Sequence, residues 1–223
     1  MLLAVGLVPW CDWSYTEGMS PRVKHAPKIK KGEQPVAQTL FNYEKVSDAI
    51  VGQAARILGP LDGQRILICA GKGGTGAAGL AAAPKLLQEG VRLSILLAQQ
   101  PDDCIEDGRL FLKQAETLRV PIRQWSQNLP EGTYRQDLLI DALLGAHTDG
   151  APRFPLDQII VSMNDSRTPV LCLDVPSGLD PQTGKPGKPT VVGMVTLQVS
   201  VSTKKLLDKA GALYVGKVVP VSQ

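Results

Sequence analysis

The sequence predicts an α/β protein, a three-layer α/β/α Rossmann-like sandwich with a mostly parallel sheet and an N-terminal extension. Short runs such as Arg65–Ala70 (RILICA) and Asp137–Leu144 (DLLIDALL) are apolar on both faces, which is typical of strands buried between two helical layers. Segments of helical spacing separate these runs. A glycine-rich loop follows the first run, and 223 residues suffice for one such domain and an extension.

The elements begin with a helix over Thr39–Leu58, whose apolar residues recur at helical spacing and which Gly59-Pro60 ends. Strands and helices then alternate. Pro84 lies inside the second predicted helix, so we expect this helix to begin late or to kink. The expected strands are Arg65–Ala70, Val91–Ala98, Val120–Gln124, Asp137–Leu144, Pro169–Val175, Thr190–Val199 and Ala212–Val221, and the further helices are Gly79–Gln88, Glu106–Leu118 and one beginning over Leu156–Ser162.

Three loops after the predicted strands have an unusual composition: Gly71–Gly79, Gly145–Arg153 and Pro176–Gly184. In open α/β sheets, ligands bind outside the carboxyl ends of the strands, where the strand order reverses. The sequence therefore predicts that these three loops converge on a binding site.

The N-terminal 37 residues are predicted to form an irregular arm, and residues 38–223 one domain. Trp10 and Trp13 suggest that the arm packs on its own domain or on a neighbour, as in a homodimer or a larger assembly. The basic stretch Arg22–Lys31 is interpreted as a solvated arm or as a contact for an acidic partner. The apolar start has no basic n-region and is too short to span a bilayer. It is a buried or partner-covered segment or, alternatively, a truncated signal.

The composition, with 43% hydrophobic residues, 20% charged residues and a net charge of +3, is that of a soluble globular protein. The small charge argues against a dedicated nucleic-acid-binding protein. Cys11, Cys69, Cys104 and Cys172 show neither paired nor metal-ligand spacing. We therefore expect a reducing compartment, the cytoplasm or an organelle matrix.

Two common interpretations of the glycine loop fit poorly. Gly71, Gly73 and Gly76 match the GxGxxG pattern of dinucleotide-binding folds, but the next strand ends in Gln99-Gln100 where such folds place an acid for the ribose. The loop is also similar to the variant phosphate loop of ParA-like ATPases. That loop needs a second lysine and a hydroxyl for the phosphates and Mg²⁺, and this chain has only alanines there.

Several motifs in a fixed order are more specific. Beside the glycine loop, the chain contains Ile140–Gly145 (IDALLG), Asn164 before Pro169, Asp174–Asp180 (DVPSGLD) with Thr183-Gly184, and Thr196, Lys204 and Ala212–Val219. On these motifs, residues 65–223 resemble the YjeF N-terminal domain family, whose enzymes are NAD(P)H-hydrate epimerases.

The resemblance implies an isomerase that interconverts the R and S hydrates of NADH and NADPH in nicotinamide nucleotide repair. It implies that Asp174 is the catalytic acid and base, and that K⁺ is held by Thr75, Asp141 and Ser177. His147 is either a replacement acid/base group or an exposed loop histidine. The residues implied to bind the dinucleotide are Gly71, Lys72, Gly73, Gly74, Thr75, Gly76, Ala77, Ala78, Gly145, His147 and Asp174.

The chain departs from the family pattern in the glycine loop. Gly74 and Thr75 stand where the family has two asparagines, Ala78 replaces an aspartate, and Pro84 replaces an arginine. Two functions therefore remain open. The protein is an active epimerase, or it is an inactive relative that serves as a structural subunit or interaction scaffold, as the same domain does in mRNA-decapping scaffolds. In the second case Asp141 and the DVPSG segment persist only as architecture.

Overall fold

The computed structural model of the protein describes residues 42–148, 150–199 and 210–221. The predictions for the N-terminal arm, with Trp10, Trp13 and the basic stretch Arg22–Lys31, therefore lie outside the described residues, and so does Lys204.

One sheet of seven parallel strands forms the centre of the domain, in the order β3-β2-β1-β4-β5-β6-β7. The predicted fold class is confirmed. The strands are β1 Arg65–Ala70, β2 Arg92–Leu97, β3 Ile122–Gln124, β4 Leu138–Ala142, β5 Val170–Leu173, β6 Val195–Gln198 and β7 Lys217–Pro220. The helices are α1 Tyr43–Leu58, α2 Gly74–Ala81, α3 Ala83–Gln88, α4 Glu106–Thr117, α5 Leu156–Asp165 and α6 Ala212–Val215.

Helices cover both faces of the sheet, because alternate side chains of each strand point to opposite faces. On one face, Ile66, Ile68 and Ala70 of β1 pack with α1, α2, α3 and α4. On the other face, Leu67 and Cys69 of the same strand pack with α5. The segment 125–134 lies against this second cluster through Trp125, Leu129 and Tyr134. No helix in the described part of the chain is long and apolar enough to cross a membrane.

The second predicted helix differs from the prediction at its beginning. We expected it to begin at Gly79, but α2 begins at Gly74, five residues earlier. The small residues of α2 let it approach the sheet, since a Cβ at Gly79 would lie 2.6 Å from that of Ala142. The expected interruption near Pro84 is confirmed, because α2 ends at Ala81 and Pro84 stands in the first turn of α3.

Two strands begin five residues later than predicted. The run Thr190–Val199 contributes only β6, since the Thr190 hydroxyl donates to the Gly178 and Gly187 carbonyls and the Val191 N–H donates to the Ser177 carbonyl. The prediction of a strand over Ala212–Val221 is wrong in its first half, where α6 stands. Gly216, at φ +56°, ends α6 and starts β7.

Candidate functional site

The three loops singled out by composition meet at the carboxyl edge of the sheet. The strands that precede them, β1, β4 and β5, are neighbours, and the strand order reverses between β1 and β4. Backbone N–H groups after β4 tie this loop to the next one: Ala146 donates to Asp174 Oδ2 at 3.1 Å, and Leu144 donates to Ser177 Oγ at 2.9 Å. The edge at this reversal is where ligands bind in open α/β sheets.

The glycines of the first loop are required by contacts within the protein. Gly71 lies against the Leu143 carbonyl, and Gly76 lies against the carbonyl of Gly71 itself. A Cβ at either position would approach these backbone oxygens more closely than 3.0 Å, which real Cβ atoms essentially never do. Close packing within the protein therefore requires glycine at two positions of the GxGxxG pattern, whether or not the loop contacts a ligand.

The loop offers a ligand mainly its backbone. Gly73 is the N-cap of α2, and no side chain caps this helix. Lys72 is exposed, whereas Thr75 is only 7% exposed and Ala77 and Ala78 are buried. Ala78, which replaces the family's aspartate, is part of the apolar cluster beneath the helix. The backbone N–H groups at the start of α2 favour an anion such as a pyrophosphate.

Asp174 directly follows β5 and has an unusual backbone conformation. Its φ is +68°, and its N–H donates to the Leu197 carbonyl at 2.7 Å. This left-handed conformation is uncommon for a residue other than glycine, and it is found disproportionately at functional sites. The residue is 2% exposed, and the Ala146 N–H donates to one of its carboxylate oxygens. The fold thus orients this carboxylate toward the loop after β4.

Gly145 lies between Thr75 and Asp174. A Cβ at this position would meet Thr75 Oγ1 first, at less than 3.0 Å, and would lie 3.6 Å from Asp174 Oδ2. The structure therefore brings together the predicted residues Thr75, Gly145 and Asp174. His147, two residues further along, is exposed, and the structure shows it as a loop residue at the rim.

Asp141 and Ser177 form a buried clamp between β4 and the turn after β5. The Ser177 hydroxyl donates to Asp141 Oδ1 at 2.6 Å, and the Ser177 N–H donates to Asp141 Oδ2 at 2.8 Å. The Leu143 N–H donates to Oδ1 at 3.2 Å. Burial raises the pKa of the Asp141 carboxyl, while the hydrogen bonds from Ser177 and Leu143 oppose this shift.

These hydrogen bonds also test the predicted potassium site. Both carboxylate oxygens of Asp141 accept protein donors, and the Ser177 hydroxyl both donates and accepts. The clamp is therefore satisfied by its own partners. Thr75, the third predicted ligand, lies beside Gly145 and Asp174.

Sequence reasoning missed the backbone donors of the site. The N–H groups of Leu144 and Ala146 donate to Ser177 and Asp174. Every residue except proline has such a group, so the residue types do not indicate which ones act as donors.

Asn164 has a structural role that the sequence indicated only as part of a motif. Its side chain donates to the Thr190 carbonyl and accepts from the Val192 N–H, both at 3.0 Å, and so joins α5 to the segment that precedes β6.

Comparisons with known proteins point to one family. The model of the YjeF-related protein N-terminus matches residues 42–206, which is most of the chain. An NAD(P)H-hydrate epimerase of Puccinia graminis f. sp. tritici is 34% identical over 131 residues, covering 59% of this chain and 53% of that protein. A bifunctional NAD(P)H-hydrate repair enzyme Nnr of Hyperthermus butylicus is 32% identical over 178 residues, covering 77% of this chain and 33% of that protein.

The chain thus spans from about a third to about half of the length of these curated relatives. Among solved structures, that of the yeast protein YNL200c covers 73% of this chain and 71% of its own, with a TM-score of 0.62 and 20% identity. At this identity the likeness concerns the fold alone.

Proposed function

Since the chain belongs to the family of YjeF-related protein N-termini, we propose that it is an NAD(P)H-hydrate epimerase. It would interconvert the R and S hydrates of NADH and NADPH so that a stereospecific dehydratase can repair them. Two relatives named NAD(P)H-hydrate epimerase match the chain at 34% and 33% identity.

The observation that carries the proposal is the position of Asp174. Its carboxylate lies at the carboxyl edge, beside the reversal of the strand order, and the Ala146 N–H holds one oxygen. Inverting the hydrated carbon requires a proton donor for the leaving hydroxyl and a proton acceptor for the water that adds on the opposite face. Loss of water leaves a planar iminium, and when this ring turns its other face to Asp174 the same carboxyl group serves as the acid and then as the base. The ring nitrogen assists departure with its lone pair, and one water leaves for each that adds.

The glycine loop supports a role in binding the pyrophosphate. The contact of Gly71 with the Leu143 carbonyl holds this loop against the loop after β4, whose Ala146 N–H donates to Asp174. We propose that the N–H groups of residues 72–74, at the amino end of α2, bind the pyrophosphate there. Because Gly145 has no side chain, Thr75 and Asp174 can lie close together on either side of it. In this proposal His147 contacts the substrate at the rim and does not transfer the proton.

Potassium has no step in this mechanism. The donors around Asp141 and Ser177 satisfy both residues without a cation. In the proposal they position the DVPSG turn, and with it Asp174. We place the protein in a reducing compartment, the cytoplasm or an organelle matrix, since Cys69, Cys104 and Cys172 are buried free thiols.

The experiment is epimerisation of purified S- or R-NADPH hydrate, followed by chromatography against the spontaneous rate. Asp174→Asn keeps an oxygen for the Ala146 N–H but removes the titrating group. We expect at least about a 100-fold loss of kcat, the typical contribution of a positioned acid/base group. Asp165→Asn, on the exposed end of α5, is the matched control and is expected to retain the wild-type rate. Equal rates for wild type and Asp174→Asn would refute the assignment.

A second candidate function, an inactive subunit or scaffold, is favoured by one observation. The position that carries the family's loop aspartate is Ala78, whose side chain is buried in the core. Wild-type protein that never exceeds the spontaneous rate, and that has a native mass in extract well above that of the isolated chain, would favour this candidate. An assembly through the N-terminal arm, as a homodimer or with another chain, is proposed for that case.

A further inference from the structure

A second concave feature lies away from Asp174, between the segment 125–134 and helix α5. It is a cavity of about 720 Å³. Its lining mixes aromatic and apolar side chains with amides and hydroxyls, and Glu131 is the one charged residue among those that line it. A cavity of this size, lined in this way, is typical of a site for a small organic molecule.

Aromatic side chains form one side of the cavity. Trp125 and Phe154 are in edge-to-face contact, with ring centroids 5.0 Å apart and planes at 87°. Phe154 is 63% exposed, so its ring is open to a ligand in the cavity. Tyr134 lies deeper. Its hydroxyl is buried beside Ser162, yet no described residue completes a hydrogen bond of normal geometry with it. The cavity thus has aromatic ring faces for stacking and a buried hydroxyl for a hydrogen bond with a ligand.

One end of the cavity, at Trp125, lies at the same edge of the sheet as Asp174. Trp125 directly follows β3, and its N–H donates to the carbonyl of Leu97 at the end of β2. From β5, which precedes Asp174, the strand order runs through β4, β1 and β2 to β3. At about 4.8 Å per neighbour, these strands place Trp125 about 19 Å from Asp174 along the edge. The glycine loop after β1 lies between them.

This spacing matches the shape of a dinucleotide. In doubly wound sheets with the strand order 3-2-1-4-5-6, a dinucleotide lies across the crevice with its pyrophosphate at the first βα turn. The described sheet has this order. With the nicotinamide end at Asp174 and the pyrophosphate at the glycine loop, the other base falls at the ends of β2 and β3.

We propose that the cavity between the segment 125–134 and α5 binds the adenine of the dinucleotide substrate, with its ring against Trp125 and Phe154. This proposal rests on the proposed function. A planar base stacks on aromatic side chains, and its amino group suits the Glu131 carboxylate and the amides that line the cavity. A phosphate or carboxylate does not fit, since no lysine or arginine lines this cavity and Glu131 would repel it.

Gln99 adds an independent observation on the path between the two ends. It follows β2, beside the glycine loop, and its Oε1 atom is buried without a hydrogen-bond partner among the described residues. This is the position at which dinucleotide folds place an acidic acceptor for the ribose hydroxyls. A neutral amide oxygen accepts the same hydroxyl proton. In the proposal, Gln99 accepts a hydrogen bond from the ribose of the adenosine, which lies between the pyrophosphate and the base.

The experiment compares two substrates, NADH hydrate and the hydrate of reduced nicotinamide mononucleotide, which lacks the adenosine. Phe154→Ala and Trp125→Ala are expected to raise KM for the dinucleotide about tenfold, the change that loss of about 1.4 kcal/mol of base stacking produces. Their kcat/KM for the mononucleotide is expected to stay at the wild-type value. The control is Leu213→Ala, which truncates a side chain of α6 that is 76% exposed. It should leave KM and kcat unchanged for both substrates.

Calorimetric titration with adenosine monophosphate separates this proposal from the proposed function. Binding by wild type that is lost in Phe154→Ala supports the adenine site, even where no epimerisation is found and the proposed function fails. An active wild type with no binding of adenosine monophosphate, or with equal losses for both substrates in Phe154→Ala, overturns the adenine site and leaves the epimerase intact.

Discussion

Gly145 is the position where one methyl group tests the geometry of the site most directly. In Gly145→Ala the new Cβ would lie closer than 3.0 Å to Thr75 Oγ1 and 3.3 Å from Thr75 Cβ. Asp174 Oδ2, at 3.6 Å, would be in ordinary van der Waals contact. The methyl group therefore forces the loops after β1 and β4 apart and leaves Asp174 itself nearly unperturbed.

The size of the effect follows from the surroundings. Thr75 is only 7% exposed and stands in α2, which is packed on the sheet, so its side chain cannot turn away freely. Overpacking of this kind typically costs about 1–3 kcal/mol. For a domain of this size, about 2 kcal/mol lowers Tm by roughly 4–8 °C. We expect kcat to fall as well, because the glycine loop moves relative to Asp174.

The assay is a double-mutant cycle read by thermal unfolding and by epimerisation. Thr75→Ala removes the oxygen that the new methyl group meets and keeps Thr75 Cβ. In Gly145→Ala/Thr75→Ala, most of the loss caused by Gly145→Ala should therefore be recovered, with a coupling energy of about 1–2 kcal/mol between the two positions. Strictly additive changes in Tm, or a Gly145→Ala variant as stable as wild type, would refute the placement of Thr75 against Gly145.

Two further predictions concern buried polar groups. Burial raises the pKa of Asp141, so its protonated form stabilises the fold fully below the unfolded value of about 3.9, and this contribution is lost as the pH rises through the higher folded value. Asp141→Asn leaves the Ser177 N–H facing an amide donor, at a cost of about 1–3 kcal/mol. The Tm advantage of wild type over this variant should therefore shrink as the pH rises above the unfolded value. A constant or growing difference would contradict the shift. Asn164→Ala, which leaves the Thr190 carbonyl and Val192 N–H without their partner, should lower the free energy of unfolding in urea by about 1–3 kcal/mol without changing kcat. Exposed Asp165→Asn is its control, and equal stability of the two variants would count against the bridge.

The order of the elements was predictable from local pattern. Runs that are apolar on both faces indicate strands between two helical layers, and β1 and β4 lie where their runs predict. The run Ala212–Val221 was misassigned because a short apolar segment has no decisive period, and Gly216 divides it into α6 and β7. The start of α2 was missed for a related reason. Glycines are poor helix formers, and only packing on the sheet makes Gly74–Gly79 helical.

The sequence by itself determined the fold class, the family motifs and the candidate residue Asp174, because side-chain type and spacing along the chain carry that information. Only the tertiary structure decided what surrounds Asp174. The Ala146 N–H that holds its carboxylate, and the Leu143 carbonyl that excludes a side chain at Gly71, are backbone atoms brought near by the pairing of β1, β4 and β5. Such groups are the same in every residue, so their positions appear only when the chain is folded.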